Sequence, residues 1–333
     1  MRQELRTVAA IEVLRDTLGA GPWPLGALRD VGWSDRQIRR AVDAGRLRRP
    51  HRGVVDLPDA VGEAARVWAA LLVAGEKAAA SHESAARLRA LWLPRDASNL
   101  VHLTVPGCPD RTDHGMRIHG SRLPREYVED LDGVPVTTLA RTAIDLARGR
   151  ELPEAMVVVD SAARAIISTS TGVDLRALRD GDQRHELTEM ARDALQTAFE
   201  VEWTWPGTVV ARGAIELVNP ASESPFESRS RGWMVQAALP APQLAYSVQG
   251  ASGTWYVADF AWPGQRLLGE ADGIGKYGTD PVGAARALRA ERRRQRDLED
   301  AGWRFVRWDS AEHPRQVTTR IARALVATHG ASH

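Results

Sequence analysis

The stretch VADFAWPGQRLLGEADGIGKYG, from Val257 to Gly278, contains acidic residues where strands usually lack them. Its pattern predicts two β-strands, with Asp259 in the middle of the first and Glu270 and Asp272 at the end of the second. Carboxylates are depleted in strands and are costly to bury unpaired. Because side chains alternate along a strand, Glu270 and Asp272 share one face, and Asp259 can meet them across the strand pair. Either these acids face solvent, or they lie together around a bound cation.

The residues around this stretch predict an α/β domain from 224 to 333. We expect the order helix, strand, strand, strand, helix, strand, helix, with a mixed sheet. The first helix, SPFESRSRGWMVQAAL, carries Glu227 toward the strand acids. Four carboxylates in one place raise one another's pKa unless a divalent cation lies among them. Oxygen ligands of this kind favour Mg²⁺, so the sequence predicts Mg²⁺ (or Mn²⁺) as a cofactor.

The acids Glu227, Asp259 and Glu270 on this helix–strand–strand core resemble those of the PD-(D/E)xK nuclease superfamily. The segments SPFESRSR, GEADG and LEDAGWRFVRW resemble its branch of very-short-patch-repair-like endonuclease domains, which have a restriction-endonuclease-like α/β core. The resemblance implies that Asp259 and Glu270 are metal ligands and that Glu227 is an outer or second-metal ligand. It also implies hydrolysis of DNA phosphodiester bonds by a water molecule that the metal activates.

The sequence departs from this superfamily at one position. Members usually have lysine two residues after the second acid, where this sequence has Asp272. The repair-like branch often has Asp-Gly there and a later basic residue, so Lys276 is the candidate for the missing charge, which would stabilise the phosphate. The candidate catalytic residues are Glu227, Asp259, Glu270, Asp272 and Lys276. Two alternatives stay open: solvated acids in surface turns, and an inactive nuclease fold kept as a scaffold.

Residues 1–57 predict a winged helix-turn-helix DNA-binding head of three helices and a basic hairpin. The first helix has an apolar face formed by Val8, Ile11, Val13, Leu14 and Leu18. In the third helix, Ser34 and Gln37 form a capping-box pattern. We expect 34–46 to be the recognition helix and 47–57 the wing. Seven arginines among residues 35–52 are the candidate DNA contacts: Arg36, Arg39, Arg40, Arg46, Arg48, Arg49 and Arg52. A solvated helix face is the alternative.

Residues 58–185 predict a middle α/β domain, and residues 186–223 predict a helical connector. The histidines of the middle domain share no metal-ligand spacing, so we interpret them as ordinary polar residues: His82, His102, His114 and His119. The basic helix RALRAERRRQRDLEDAGW of the last domain either lines a DNA channel or is a solvated outer face. Its candidate channel residues are Arg292, Arg293, Arg294 and Arg296.

The front half also resembles a known family. SDRQIRRAVDAGRLRRPHRGVVDLP is similar to the winged-helix head of type IV abortive-infection (AbiEi-like) antitoxins. SHESAARLRALW, VHLTVP and GVPVTTLARTAIDLAR are similar to the domain that follows this head, so the likeness extends to about residue 165. It implies DNA binding near the gene's own promoter, transcriptional repression and a partner toxin of the nucleotidyltransferase type.

Composition limits the class of protein further. The 333 residues carry a net charge of +1, so a nucleic-acid surface must be local. The single cysteine, Cys108, excludes an intramolecular disulfide and a zinc site of several thiolates. No stretch reaches the length of a membrane-spanning segment, which predicts a cytoplasmic protein without a membrane partner. Two hypotheses follow: a DNA endonuclease in a defence or toxin–antitoxin setting, and a non-enzymatic repressor or antitoxin. The oligomeric state is left open, since no coiled-coil heptad indicates a dimer.

Overall fold

The computed structural model describes residues 11–179, 181–200, 205–272 and 281–327. The chain forms two compact units, the first containing Met1–Leu91 and Asp96–Asp145, the second Trp92–Arg95 and Leu146–His333. Both units combine helices with sheets, so the predicted α/β class is confirmed. The predicted finer division at residues 57, 185 and 223 stays a prediction. Among the described residues, no helix combines the length and apolar character needed to span a membrane.

The first unit begins with three helices and a hairpin around a small core. The elements are α1 (residues 11–18), β1 (Trp23–Pro24), α2 (Leu25–Asp30), α3 (Asp35–Asp43), β2 (Arg48–His51) and β3 (Val54–Asp56). The three strands form a sheet in the order β1-β3-β2. Leu14, Leu28 and Ile38 from the three helices pack together in the core. The three helices and the hairpin are the elements that the sequence predicts here, and their assignment to a winged helix-turn-helix stays a prediction.

The predicted apolar face of the first helix is partly wrong. Leu14 is fully buried, but Val13 is 59% exposed, because one residue of rotation, about 100°, carries a side chain away from the core. Val8 lies outside the described residues.

A six-stranded mixed sheet forms the rest of the first unit, in the order β6-β7-β5-β4-β9-β8. Its elements are α4 (Glu63–Ala74), β4 (Ala79–Ala80), α5 (His82–Leu88), β5 (Val101–Thr104), β6 (Arg111–Asp113), β7 (Met116–His119), β8 (Val128–Leu131), β9 (Val134–Thr137) and α6 (Leu139–Ala147). Strands β5 and β7 run parallel. Val67 of α4, Leu103 of β5 and Ile118 of β7 belong to one buried cluster. The other faces of β5 and β7 therefore carry their polar side chains.

The second unit is a four-stranded mixed sheet with helices. Its helices are α7 (Leu152–Thr171), α8 (Gly181–Glu200), α9 (Thr208–Glu216), α10 (Pro225–Gln236), α11 (Pro281–Asp300) and α12 (Pro314–Val326). Its strands are β10 (Gln243–Gln249), β11 (Trp255–Trp262), β12 (Leu267–Asp272) and β13 (Arg304–Asp309), in the order β10-β11-β12-β13. The first two pairings are antiparallel and the last is parallel. From α10 onward, the element order is the predicted one.

Close packing fixes α10 and β12 in this unit. A Cβ at Gly269 of β12 would lie 2.9 Å from the ring of Trp308, so only glycine fits there without a shift. Trp308 also donates from its indole nitrogen to Ser230 of α10 at 2.9 Å. On the other side of α10, a Cβ at Gly232 would lie 2.5 Å from Pro153 of α7. These contacts hold the middle of α10 and of β12 in place.

Candidate metal centre and nucleic-acid surface

Asp259 and Glu270 lie side by side on neighbouring antiparallel strands. Phe260 of β11 pairs with Gly269 of β12, and continuing this register by one residue sets Asp259 opposite Glu270. Asp259 Oδ2 accepts a hydrogen bond from the backbone N–H of Ala271 at 2.9 Å. Glu270 is only 5% exposed. The structure therefore brings together the two strand acids that the sequence pattern paired.

Glu227 lies in the first turn of α10 and closes the start of that helix. Its Oε1 accepts from the Ser224 hydroxyl at 2.7 Å, and its Oε2 accepts from the backbone N–H of Glu223 at 2.7 Å. The Ser224 hydroxyl in turn accepts from the backbone N–H of Glu227 at 3.2 Å. Both carboxylate oxygens thus contribute to helix capping, a role that needs no metal.

The three acids form one electrostatic group. Burial, and then the charge of Asp259, raises the pKa of Glu227 from its ordinary 4.5 to about 7. The same two causes raise the pKa of Glu270 to about 7, although Arg294 opposes them. Asp259 is therefore the neighbouring charge that the two glutamates share. A further positive charge at this place would favour the ionised form of all three acids.

Arg294 of α11 is the cation that lies against Glu270 in this site. It donates to Glu270 Oε1 at 2.7 Å and to the carbonyl oxygen of Val257 at 2.9 Å, and it lies 3.3 Å from Glu291. Its side chain is 18% exposed. Arg294 therefore faces inward rather than lining an outer channel. Its three predicted companions on α11 are all exposed: Arg292, Arg293 and Arg296.

Asp272 lies at the outer edge of the group. Its side chain is 39% exposed, and its Oδ2 lies 4.0 Å from Arg307 of β13. Arg307 also pairs with Glu291 at 2.5 Å. Asp272 thus faces a guanidinium and is less enclosed than Glu270. Lys276, the predicted source of positive charge, lies outside the described residues.

The charges of this cluster fit a divalent cation. Among the described residues, the guanidinium groups of Arg164, Arg294 and Arg307 face five carboxyl groups: those of Glu227, Asp259, Glu270, Asp272 and Glu291. Mg²⁺ is usually held by one or two carboxylates and keeps several waters, so Asp259 and Glu270 suffice as protein ligands. Glu270 can contribute the oxygen that faces Arg294 only if the guanidinium moves away. We call this cluster the acidic site.

The exposed arginines of the head follow α3 and the hairpin. The Ser34–Gln37 capping box at the start of α3 is confirmed. Of the predicted DNA contacts, five are exposed: Arg36, Arg39, Arg40, Arg49 and Arg52. Arg46 is half-buried. Exposed guanidinium groups on one helix and its adjoining hairpin suit phosphate contacts.

Arg48 makes a structural contact within the hairpin, and its predicted contact with DNA stays a prediction. Its guanidinium donates to the buried carboxylate of Asp56 at 2.7 Å and to the carbonyl oxygens of Leu57, at 3.1 Å, and Ala60, at 2.5 Å. These bonds tie β2 to the end of β3 and the chain beyond it. The prediction that Arg48 contacts DNA overlooked the cross-strand carboxylate, because sequence alone does not give the register of the hairpin.

Three of the four histidines of the predicted middle domain lie close together in the structure, although their spacing in the sequence is not that of metal ligands. The ligand atoms offered by His82, His102 and His119 all lie within 4.8 Å of one another, and no other set of three within the described residues does this. His102 Nδ1 lies 3.0 Å from His119 Nε2, and the ring of His82 stacks on that of His119 with centroids 3.6 Å apart. His114 is exposed. We call these three residues the histidine cluster.

The alternation of polar and apolar residues along the strands could have predicted part of this cluster. His102 in VHLT and His119 in MRIH each alternate with apolar residues, and Thr104 pairs with His119 in the parallel register of β5 and β7. Both histidines therefore lie on the same face of the sheet. His82 begins α5, and its approach to the sheet depends on packing that the sequence does not reveal. Burial, then His82 and His102, lowers the pKa of His119 to about 3, so its imidazole is neutral at pH 7.

Comparison with known proteins gives two relatives. An uncharacterized protein in each of two Mycobacterium tuberculosis strains is 30% identical to this chain over 231 residues, which is 68% of this chain and 73% of the relative. No protein-family model matches the sequence.

Proposed function

This chain belongs to the family of these uncharacterized mycobacterial proteins, and we propose that it is a DNA-binding protein whose acidic site hydrolyses DNA phosphodiester bonds with Mg²⁺ or Mn²⁺. The observation that carries the proposal is the pairing of Asp259 with Glu270 on adjacent strands, inside a cluster with excess carboxylates. Burying such charges is costly unless a cation offsets them.

Each residue of the acidic site has a part in this proposal. When bound, Mg²⁺ supplies a Lewis acid that polarises the phosphate and lowers the pKa of water. Asp259 and Glu270 would hold the ion, and the N–H of Ala271 orients Asp259. Arg294, once released from Glu270, offers its guanidinium to the phosphate, where negative charge grows in the transition state. Glu227 fixes the start of α10 beside them.

The head supplies DNA affinity in this proposal. Arg36, Arg39 and Arg40 on α3 are exposed on a helix that its capping box stabilises, and Arg49 and Arg52 are exposed on the hairpin. Phosphate contacts from such residues give affinity that depends on salt. Sequence readout would come from the same helix in the major groove.

A second candidate function rests on the Arg294–Glu270 pair. The 2.7 Å contact offsets part of the negative charge of the acidic site without a metal, and Asp272 stands where the resembled superfamily usually has lysine. In this alternative the protein is a non-enzymatic repressor or antitoxin that carries an inactive nuclease fold. Its partner would be a toxin of the nucleotidyltransferase type.

Cleavage of supercoiled plasmid and of single-stranded DNA, with Mg²⁺ or Mn²⁺, tests the proposal. Wild type should nick the DNA only with metal. The Asp259→Ala, Glu270→Ala double variant should be slower by at least about 100-fold, since an ion in the site provides several kcal/mol of transition-state stabilisation. The matched control Glu299→Ala, Asp300→Ala removes two exposed acids at the end of α11 and should cleave like wild type.

Metal-independent cleavage, or cleavage that the folded double variant retains, would contradict the proposal. No cleavage by any of the three proteins, together with tight DNA binding, would favour the repressor or antitoxin.

A further inference from the structure

We propose that the histidine cluster of the first unit is a binding site for a divalent transition-metal ion of the zinc class. This site is separate from the acidic site in its residues and its chemistry, and it does not depend on the proposed nuclease activity. Neutral imidazoles suit zinc and its first-row neighbours, whereas carboxylate oxygens suit Mg²⁺.

The positions of the nitrogens suit a shared ion. Zinc binds imidazole at about 2.0–2.1 Å, so two nitrogens that share a tetrahedral ion lie about 3.4 Å apart. His102 Nδ1 and His119 Nε2 are 3.0 Å apart, and the ligand atoms of all three histidines lie within 4.8 Å of one another. A metal ion lies close to the plane of each imidazole that binds it, so the stacked rings of His82 and His119 must turn relative to each other when the ion enters. Three protein ligands leave a fourth position for water or a nearby carboxylate.

Carboxylates stand beside two of the rings. Glu83 Oε2 lies 3.1 Å from His102 Nδ1, and Asp145 Oδ2 lies 4.0 Å from His82 Nδ1. Glu83 faces the same nitrogen of His102 that faces His119, so this contact must break when that nitrogen binds the ion. The side chains of Glu83 and Asp145 are almost completely buried.

Asp145 is itself held in position. The fully buried guanidinium of Arg141 donates to Asp145 Oδ2 at 3.0 Å and to the carbonyl oxygen of Arg122 at 3.1 Å. At 4.0 Å from His82 Nδ1, Asp145 makes no hydrogen bond to that nitrogen, but it holds a negative charge beside the cluster that favours a bound cation.

The backbone at His82 adds an independent observation. His82 has φ +48°, in the left-handed region that costs energy for a residue with a side chain. His82 is the first residue of α5, and its imidazole lies against the ring of His119 on the β5–β7 sheet. Strained residues of this kind cluster at ligand sites.

The test is Co²⁺ titration of the full-length protein, without a polyhistidine tag and stripped of metal by a chelator. The Asp259→Ala, Glu270→Ala double variant is the background, so that the acidic site cannot contribute. We expect one equivalent of Co²⁺ to bind with the visible absorption of a low-coordinate nitrogen site, and Zn²⁺ to displace it. Excess Mg²⁺ should leave the spectrum unchanged.

Two histidine variants make the test specific. His119→Gln should abolish the absorption and weaken Zn²⁺ binding at least about 10-fold, as removal of an imidazole ligand does. The matched control His114→Gln changes an exposed histidine of the same unit and should bind as the background does. Circular dichroism confirms that each variant is folded.

Metal binding by the Asp259→Ala, Glu270→Ala background protein tests the proposal even if His119→Gln fails to fold. Absence of stoichiometric Co²⁺ and Zn²⁺ binding in that protein would overturn the proposal. A folded His119→Gln that binds both ions as the background does would also overturn it. Since the acidic site is removed throughout, neither result depends on whether the nuclease proposal holds.

Discussion

At the scale of single residues, the pKa of the glutamate shifts in opposite directions in two Arg–Glu pairs of the second unit. Arg294 pairs with Glu270, yet the pKa of that carboxyl rises to about 7, because burial and the nearby Asp259 outweigh the guanidinium. Arg229 pairs with Glu154, and the pKa of Glu154 falls. The difference is the neighbouring charge: Glu154 is bound by donors, whereas Glu270 shares its place with another acid.

Glu154 joins α7 to α10 and is suited to a stability test. Burial alone would raise its pKa, but hydrogen bonds from Arg229, at 2.5 and 3.1 Å, and from the backbone N–H of Arg95, at 2.9 Å, lower it. A lowered folded-state pKa gives stability that is present above the ordinary value of 4.5 and is lost as the pH falls through the folded-state value.

We therefore expect Glu154→Gln to reduce the free energy of unfolding at pH 7 by about 1.5–3 kcal/mol, the range for hydrogen bonds to charged groups. The deficit relative to wild type should shrink as the pH falls below 4.5, where wild type loses the same contribution. Urea unfolding from pH 3 to 8 measures this. Glu186→Gln, on the exposed face of α8, is the control and should follow wild type. A deficit that stays constant with pH would refute the assignment.

At the scale of elements, local pattern predicted more than long-range contact. The alternation in VADFAW and RLLGEAD placed Asp259 and Glu270 on two strands, and the order of elements from α10 onward was predicted because each has its own periodicity. The packing of one element against another could not be predicted from the sequence. Arg294 was expected among outward arginines, and its turn toward Glu270 depends on how α11 lies on the sheet.

The histidine cluster shows the same limit. The histidines at positions 82, 102 and 119 have no metal-ligand spacing in the sequence. The parallel pairing of β5 with β7 brings His102 and His119 close together. Sequence periodicity gives the face on which each side chain lies, but not which strands become neighbours. Arg48 adds a smaller example, since its partner Asp56 follows from the register of one hairpin.

At the scale of the whole molecule, a net charge of +1 conceals local separation of charge. The seven arginines of residues 35–52 lie in the first unit, and the clustered carboxyl groups of the acidic site lie in the second. A protein with little net charge has weak long-range attraction to DNA, so the arginines of the head must provide the affinity.

The Arg39→Ala, Arg40→Ala double variant tests the role of the head. We expect weaker DNA binding and a shallower dependence of log K on log salt, by about 0.9 for each phosphate that the variant no longer neutralises. Fluorescence anisotropy between low and moderate salt measures both. The control Arg111→Ala, Arg125→Ala removes two exposed arginines of the same unit outside the head. An unchanged slope in the first variant would remove α3 from the DNA interface.

The most direct test of the central claim is anomalous diffraction from a crystal of the wild-type protein soaked in Mn²⁺. Our account predicts a manganese peak bound by the carboxylates of Asp259 and Glu270, with Arg294 moved away from Glu270 Oε1. A crystal in which the Arg294–Glu270 contact persists, with no manganese at Asp259, would contradict the metal centre and leave a DNA-binding protein with an inactive fold.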